Sequence, residues 1–510
     1  MGYGYECFGF TTSANVLFVM DDGRINKKQV RPMLKPLKIS LFVIGGIASL
    51  VILVILVVIT LYYFVDINAH KPRLEAVASE ALGMEVKVGG RLGFGFFPGL
   101  LITMKDVHIR NRGADIVSAD DAWLWIDIFP LLLQDIRVGQ ISLKQPRVSI
   151  ERDLDGHFNF ERQESTEGIL PALNLVKISL ADGSLRYTDK QTGEGFEADH
   201  CSLDVNRLQL AGGKRRDLKK NISIKADLSC EEFRKNDIRV TGLKFSVNGK
   251  SGFYALDPVS MVIFDGKGEG SIQANYSGTD PVFQVQFSLS QFNVEELFKT
   301  LSPNRVAEGP MDFSATLSLQ GSNRSEMIQT SSGEVRLRGE HLVLNDIDID
   351  KKLSRFESSQ NFNLVDVGAF FLAGPIGLLA TKGYNFLSIF QGSGGRSDIR
   401  LIVSNWNVER GVAKAQDVAM ATNKNRLALR GGLDFVNQQF SGVSVAVLDA
   451  KGCPTLRQEV RGSFQKPVVE KPKLLRSLAG PAVSLLKKGW GLLPGGECEV
   501  FYTGSVMSPN

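Results

Sequence analysis

Five cysteines, eighteen prolines and five histidines in 510 residues exclude several protein classes at once. A disulfide-knotted scaffold needs denser cysteine, and a collagen-like chain needs far more proline on a glycine period. Charge of one sign is also missing: 59 basic against 55 acidic residues leave a net charge of +4, too small an excess to mark a nucleic-acid binder. The chain has no nucleophile elbow, Walker loop, HExxH pair or CxxC pair, and Gly93-Phe-Gly95 lacks the third glycine of a dinucleotide loop. His70, His108, His157, His200 and His341 show no ligand spacing. No catalytic residue, cofactor site or metal site is assigned, and the chain is read as no enzyme. Asp346, Asp348 and Asp350 share one face of an extended segment and read as a solvated edge before a Ca²⁺ site. Apolar residues, by contrast, make up 43% of the chain, which makes disorder untenable.

One apolar run is long. Ile39 to Val65 carries no charge over about 27 residues, which as a helix reaches about 40 Å and crosses a bilayer with tilt. Lys27, Lys28, Arg31, Lys35 and Lys38 precede it, whereas only Lys71 and Arg73 follow at a similar distance. The positive-inside rule places residues 1–38 in the cytoplasm and everything after Val65 outside it, which in a Gram-negative host is the periplasm. Residues 1–38 read as a cytoplasmic tail or as an upstream start-site extension, since Met33 would itself open a conventional basic anchor. Val367 to Thr381 is apolar too, but it is broken by Gly374-Pro375 and too short to cross.

Past the anchor, Pro72 to Leu82 places Leu74, Val77, Ala78, Ala81 and Leu82 on one face of a short helix that Gly83 ends. The period then changes to two. In Met311-Asp-Phe-Ser-Ala-Thr-Leu-Ser-Leu-Gln320 every odd residue is apolar and every even one polar, and Phe283-Gln-Val-Gln-Phe-Ser-Leu-Ser290 repeats the pattern. Such alternation gives strands with one dry and one wet face. Asp182-Gly183, Gly212-Gly213, Asn248-Gly249, Gly266-Lys-Gly-Glu-Gly270 and Gly431-Gly432 read as turns, so antiparallel hairpins and meanders are expected. Helices are expected near 129–134, 294–301, 349–361, 367–390 and 474–488. More than twenty one-sided strands and few helices leave two solutions. Either two sheets close as a sandwich, or one long sheet curls so that its dry face lines a trough.

Several stretches resemble the AsmA family of envelope proteins. They include Met84-Glu-Val-Lys-Val-Gly-Gly-Arg-Leu92, Phe97-Pro98-Gly99-Leu100, Leu124-Trp-Ile-Asp-Ile-Phe-Pro-Leu-Leu132, Pro146-Arg-Val-Ser-Ile150 and Asp155-Gly-His-Phe-Asn159. A second block follows with Gly333-Glu-Val-Arg-Leu337, Val408-Glu-Arg-Gly411, Ala415-Gln-Asp-Val418, Gly431-Gly-Leu-Asp-Phe-Val436 and Val460-Arg-Gly-Ser-Phe464. The family is similar in architecture to chorein-type bridge proteins. The resemblance implies a mainly β chain in which a single N-terminal transmembrane helix is followed by a long, curled, antiparallel β-groove with a few short helices. It divides the chain into a tail (1–38), the anchor (39–65), an N-terminal domain (66–165), a central groove (166–300), a C-terminal β-region (301–466), and an amphipathic helix with a final strand (467–510).

The same resemblance implies an inner-membrane protein with its bulk in the periplasm, conducting phospholipids towards the outer membrane. A non-enzymatic assembly factor for outer-membrane proteins, acting by strand addition, is the alternative. Nucleic acid is not an expected partner. The expected groove lining is Val285, Phe287, Leu289, Phe313, Ala315, Leu317 and Leu319. The family-like ends of the chain also suggest a Cys453–Cys498 disulfide, whose loop of about 46 residues would contribute about 4 kcal/mol in an oxidising compartment. Cys201 and Cys230 are a second candidate pair.

Overall fold

The computed structural model describes residues 67–95, 99–111, 113–127, 138–161, 169–170, 173–175, 177–210, 213–214, 218–300, 307–345, 347–359, 394–471, 473–474 and 498–509, with Ser49 and Ile52. The anchor expected over Ile39–Val65 otherwise lies outside these residues; Ser49 and Ile52 are helical. Among the described residues no helix is long and apolar enough to cross a membrane. The helices expected at 129–134 and 367–390, and all but Leu474 of the one expected at 474–488, also fall outside them.

Residues 67–510 form one compact unit built on a 24-stranded sheet, with a separate two-stranded one of β7 (Ile169–Leu170) and β11 (Gly213–Lys214), rather than a sandwich of two large sheets. At one edge β1 (Glu85–Val88) and β2 (Gly93–Gly95) both pair with β3 (Leu100–Asn111), which pairs in turn with β4 (Ala114–Ile126). Next come β5 (Val138–Lys144) and β6 (Arg147–Arg152), both on β4, then β9 (Lys177–Asp189). The pairings of β5 and β6 with β9 are parallel, a departure from the antiparallel expectation. A parallel return needs a dozen residues or more, and residues 153–176 supply them.

Beyond β9 an antiparallel meander runs through β10 (Gly195–Leu210), β12 (Ile222–Lys235), β13 (Ile238–Lys250), β14 (Phe253–Ile263), β15 (Gly266–Asn275) and β16 (Val282–Asn293). It continues through β18 (Pro310–Gln320), β19 (Ser332–Asn345), β20 (Arg396–Glu409), β21 (Val412–Thr422), β22 (Arg426–Asp434), β23 (Gln439–Leu448) and β24 (Pro454–Ser463). Short strands finish the edges: β8 (Leu173–Leu175) on β10, β17 (Ala307–Glu308) on β19, and β25 (Lys466–Val469) and β26 (Lys473–Leu474) on β24. Strand pairing is thus continuous from β1 to β25.

Four of the five dipeptides and runs expected to be turns do not separate strands. Asp182-Gly183 lies inside β9, Asn248-Gly249 inside β13, Gly266 to Gly270 inside β15, and Gly431-Gly432 inside β22. At Asp182-Gly183 and Gly431-Gly432 the reason is a β-bulge, which demands the same left-handed backbone as a turn, whereas at Gly249, Gly266 and Gly270 a Cβ would collide with the Tyr254 ring, Phe292 and the Gln286 carbonyl. Left-handed residues sit within strand after strand: Asp106 in β3 (φ 56°), Asp182 in β9 (54°), His200 in β10 (51°), Gln291 in β16 (52°) and His341 in β19 (53°), with Gly242 in β13 and Gly442 in β23. At each of the five the apolar phase flips. β3 reads Ile102 and Met104, then Val107 and Ile109; β19 reads Val335 and Leu337, then Leu342 and Leu344. One extra residue per strand keeps the apolar side chains on one face while bending the strand. The left-handed residues of β9, β10 and β13 are neighbours in register, since Gly183, Cys201, Cys230 and Leu243 form one cross-strand row beside them.

Helices are few. α1 (Lys71–Leu82) forms where expected but faces the other way. Its polar groups bind the sheet edge: Val88 N–H donates to Glu75 Oε1 (2.9 Å) and Val86 N–H to Ser79 Oγ (2.8 Å). Leu74, Val77 and Leu82 stay exposed. Two unpaired strand N–H groups are satisfied at close range, which the periodicity of the helix alone does not reveal. α3 (Val294–Lys299) and α5 (Ile349–Ser359) also stand close to their expected positions, whereas α2 (Leu218–Asn221) and α4 (Arg324–Thr330) carry too few apolar residues to be foreseen. Residues 498–509, expected to include a strand, carry no regular secondary structure.

The left-handed positions make a direct stability test. His341→Val should cost about 1–2 kcal/mol, because a β-branched residue is forced to positive φ, and His341→Gly should cost clearly less. Chemical denaturation midpoints of the two variants measure the difference.

Candidate functional site

The register turns the alternating strands into continuous apolar rows. One row runs Phe94, Ile102, Leu124, Ile141, Ile178, Val205, Ala226, Val247, Leu256, Ile272, Val285 and Leu317, each directly opposite the next across a strand pair. It passes Gly333 and continues as Val408, Ala413, Leu433 and Phe440. A second row runs beside it through Leu180, Leu203, Leu228, Phe245, Val259, Gly270, Phe287, Ala315, Val335 and Trp406. No charged residue interrupts either. Gly333 must be glycine, because at φ 137° any Cβ would collide with the Thr316 carbonyl.

The opposite face is polar in the same register. Ser179, Asp204, Asp227 and Ser246 lie in one outer row, with Ser179 Oγ donating to Asp204 (2.7 Å) and Ser246 Oγ donating to Asp227 (2.6 Å). Arg234 forms ion pairs with Glu197, Asp199 and Glu232 on that side. At the bulge row His200 Nδ1 lies 2.7 Å from Asp182, which also accepts from Gln145 Nε2 at 3.0 Å. The Asp182 carboxylate raises the His200 pKa above the ordinary 6.5, and the imidazole in turn lowers that of Asp182.

Burial changes along the apolar face. In the central stretch the larger side chains of the two rows, from Ile178 to Leu317, are half-buried; only the short Val205, Ala226, Val259 and Ala315 are buried. Tyr187, Phe196 and Phe233 pack in sequence with tilted rings near one end of these strands, and Tyr254, Tyr276 and Phe283 pack edge to face near the other. Lys219 stands 4.8 Å over the Tyr276 ring, and Lys220 donates to the Gly278 carbonyl (3.4 Å). Beyond β18 the face closes into one large core that takes in α3 and α5 and reaches back to Leu289 and Phe292 at one end of β16 and to Met311 and Ala315 of β18.

The seven residues expected to line a groove straddle this change. Leu289 and Ala315 are buried within the closed core, Phe287, Phe313 and Leu317 are half-buried and pack against it, and Val285 and Leu319 are half-buried. The rows through Leu180, Leu228, Phe245, Val247 and Ile272 escape strand-by-strand reading, because register across the bulges decides which of them line up. Among the described residues no group of three or more His, Cys, Asp or Glu is placed to hold a metal. Asp348 instead caps α5 by accepting from Lys351 N–H (2.9 Å), and Asp350 accepts from Thr422 Oγ1 and Asn425 Nδ2 (both 2.6 Å).

On the outer face of β20–β23 small residues make a slot. Val403, Ala419, Ala428 and Ala446 are opposite one another across four strands, and Phe501, Tyr502 and Val506 of the C-terminal segment pack on them. Tyr502 donates to Asp417, which also accepts from Ser505 N–H (3.1 Å) and Oγ (2.6 Å). Burial and the Asp417 charge push the Tyr502 hydroxyl far above its ordinary pKa. Arg426 donates to the Val506 carbonyl (3.2 Å) and Arg430 to that of Val500 (3.1 Å). Cys453 and Cys498 are joined at a Cα–Cα distance of 5.9 Å, and so are Cys201 and Cys230 across β10 and β12 at 4.0 Å.

A single long sheet that keeps one apolar face over its whole width defines a class of extended, one-sided β-proteins. The AsmA family model matches residues 33–209 and again 170–376, well over half of the chain, and the chain belongs to the AsmA family. No curated protein and no solved structure matches it. The family match ends at 376, so the motifs from Val408 to Phe464 lie beyond it.

Two measurements check these assignments. The imidazole of His200, followed by NMR, should titrate above 6.5 and move back towards that value in Asp182→Asn. Because its folded pKa is the higher one, the pair stabilises the fold below about 6.5 and loses that contribution as pH rises through the folded value. Tyr502→Phe should cost about 1.5 kcal/mol, the scale of a hydrogen bond to a charged group, and should speed proteolysis within 498–509.

Proposed function

We propose that this chain is an inner-membrane-anchored periplasmic protein that binds phospholipid acyl chains along the apolar face of its sheet and carries them towards the outer membrane. The observation that carries this reading is the pair of unbroken apolar rows whose larger side chains stay half-exposed through the central stretch. A soluble protein rarely leaves so continuous a surface unless something apolar covers it. The occupant's energetics fit. Each CH₂ taken from a bilayer into water costs about 0.8 kcal/mol, so two long acyl chains cost on the order of 20 kcal/mol, and a dry face removes most of that. Head groups stay in water at the rim, where Lys219 and Lys220 could meet anionic ones. The proposed activity involves no chemical step, cofactor or metal.

The membrane side rests on the uncharged run Ile39–Val65 and the basic residues before it. AsmA membership supports an envelope role. The rival reading, assembly of outer-membrane proteins by strand addition, needs a long open edge. Here β24 is already covered by β25 and β26, and β1 and β2 at the other edge are short.

Secreting residues 67–510 without the anchor, purifying them without detergent and weighing bound lipid by mass spectrometry tests the proposal. Phospholipid should be present in at least equimolar amount, and Phe245→Asp or Ile272→Asp should reduce it several-fold without changing the melting temperature greatly. Absence of lipid from folded protein, with an unfolded outer-membrane protein bound instead, would favour the rival.

A further inference from the structure

The apolar face changes character at a definite place. Up to Leu317 in the first row and Phe287 in the second, the large side chains are half-buried. Over the next three or four strands the same rows are sealed: Val335 is 8% exposed, Trp406 2% and Leu433 1%, with Met420 and Leu427 beside them at 0%. The first row itself stays aligned there, through Gly333, Val408 and Ala413 of β19, β20 and β21. What changes is the filling.

The filling is dense and aromatic. The Phe464 ring packs edge to face on Phe440 (5.2 Å) and on Phe435 (5.9 Å). Phe298 from α3 and Ile349 and Leu353 from α5 join the same core. Trp406 turns its indole N–H to Ser404 Oγ at 2.8 Å, so even the polar atom of the largest buried side chain is satisfied inside. Interiors packed in this way hold few voids, and an acyl chain could enter only by displacing side chains from one another.

We propose that the trough is blind at its C-terminal end: acyl chains lie along the stretch from β9 to β18 and none passes β19. This rests on the lipid reading above and narrows it. The strands β20–β24 act as an end-stop, and a lipid moving onward leaves sideways from the open stretch rather than off the end of the sheet. A diacyl lipid is the occupant this geometry takes, since its head group can remain at the rim while only hydrocarbon meets the rows.

The full chain, embedded in vesicles of dioleoylphosphatidylglycerol, tests the proposal with p-benzoylphenylalanine in place of Phe245 or Phe283 in the open stretch, or of Phe440 or Phe464 in the closed one. Irradiation followed by intact-mass measurement should show lipid adducts at Phe245 and Phe283. At Phe440 and Phe464 they should be at least about tenfold fewer, a ratio that ~1.4 kcal/mol of packing penalty already produces. Comparable adducts at Phe440 or Phe464, in variants that melt as the parent does, would overturn the blind end while leaving lipid binding intact. Adducts at none of the four positions would overturn both. Hydrogen exchange of the unaltered chain, lipid-loaded against lipid-stripped, gives a check free of folding defects. Protection should differ in β12–β16 and stay unchanged in β20–β23, and a lipid-dependent change in β20–β23 would again overturn the end-stop.

Discussion

Keeping one face of a very wide sheet dry is the constraint on which this structure depends. A strand's side chains alternate, so any slip of one residue sends its apolar set to the wrong side. Long strands that bend must insert residues, and each insertion is such a slip. The chain meets both demands by placing a left-handed residue where the alternation itself changes phase, as at Asp106, Asp182, His200, Gln291 and His341. Bending and one-sidedness are therefore a single device, and the apolar rows survive from Phe94 to Phe440 because of it.

Two regions use that face differently. In the middle it stays half-exposed and the outer face is laced with ion pairs such as Arg234 with Glu197 and Asp199, a surface comfortable in water on one side only. Towards the C-terminus the same face closes over α3 and α5, and the outer face is covered as well, by Phe501, Tyr502 and Val506 on a row of alanines. Small residues matter there because a segment without its own backbone ladder must sit close to the sheet to exclude water. The hydrogen bonds of Arg426, Arg430 and Asp417, together with the Cys453–Cys498 link, tie it down instead.

Much of this was legible in the residues, though unevenly. Alternation in 283–290 and 311–320 identified β16 and β18, and α3 and α5 stood close to where their apolar spacing put them. Glycine and aspartate misled at Asp182-Gly183 and Gly431-Gly432, because a bulge and a turn ask the same thing of the backbone and differ only in what pairs on either side; at Asn248-Gly249 the glycine instead leaves room for the Tyr254 ring. α1 misled in another way. Its apolar spacing says that one face wants burial, but Glu75 and Ser79 met the unpaired N–H groups of β1 first.

By itself the sequence determined that the chain is mainly β, that its strands are one-sided, that it carries an uncharged run near its start, and which family it resembles. All of these are local or additive properties of residues along the chain. It took the fold to settle that 24 strands share one sheet instead of forming a sandwich, that β5 and β6 meet β9 in parallel, and that the apolar face is open in the middle yet sealed beyond β18. Those outcomes depend on which residues far apart in the chain come to lie opposite one another, and the alternation within a strand is the same whether its dry face meets another layer or nothing at all.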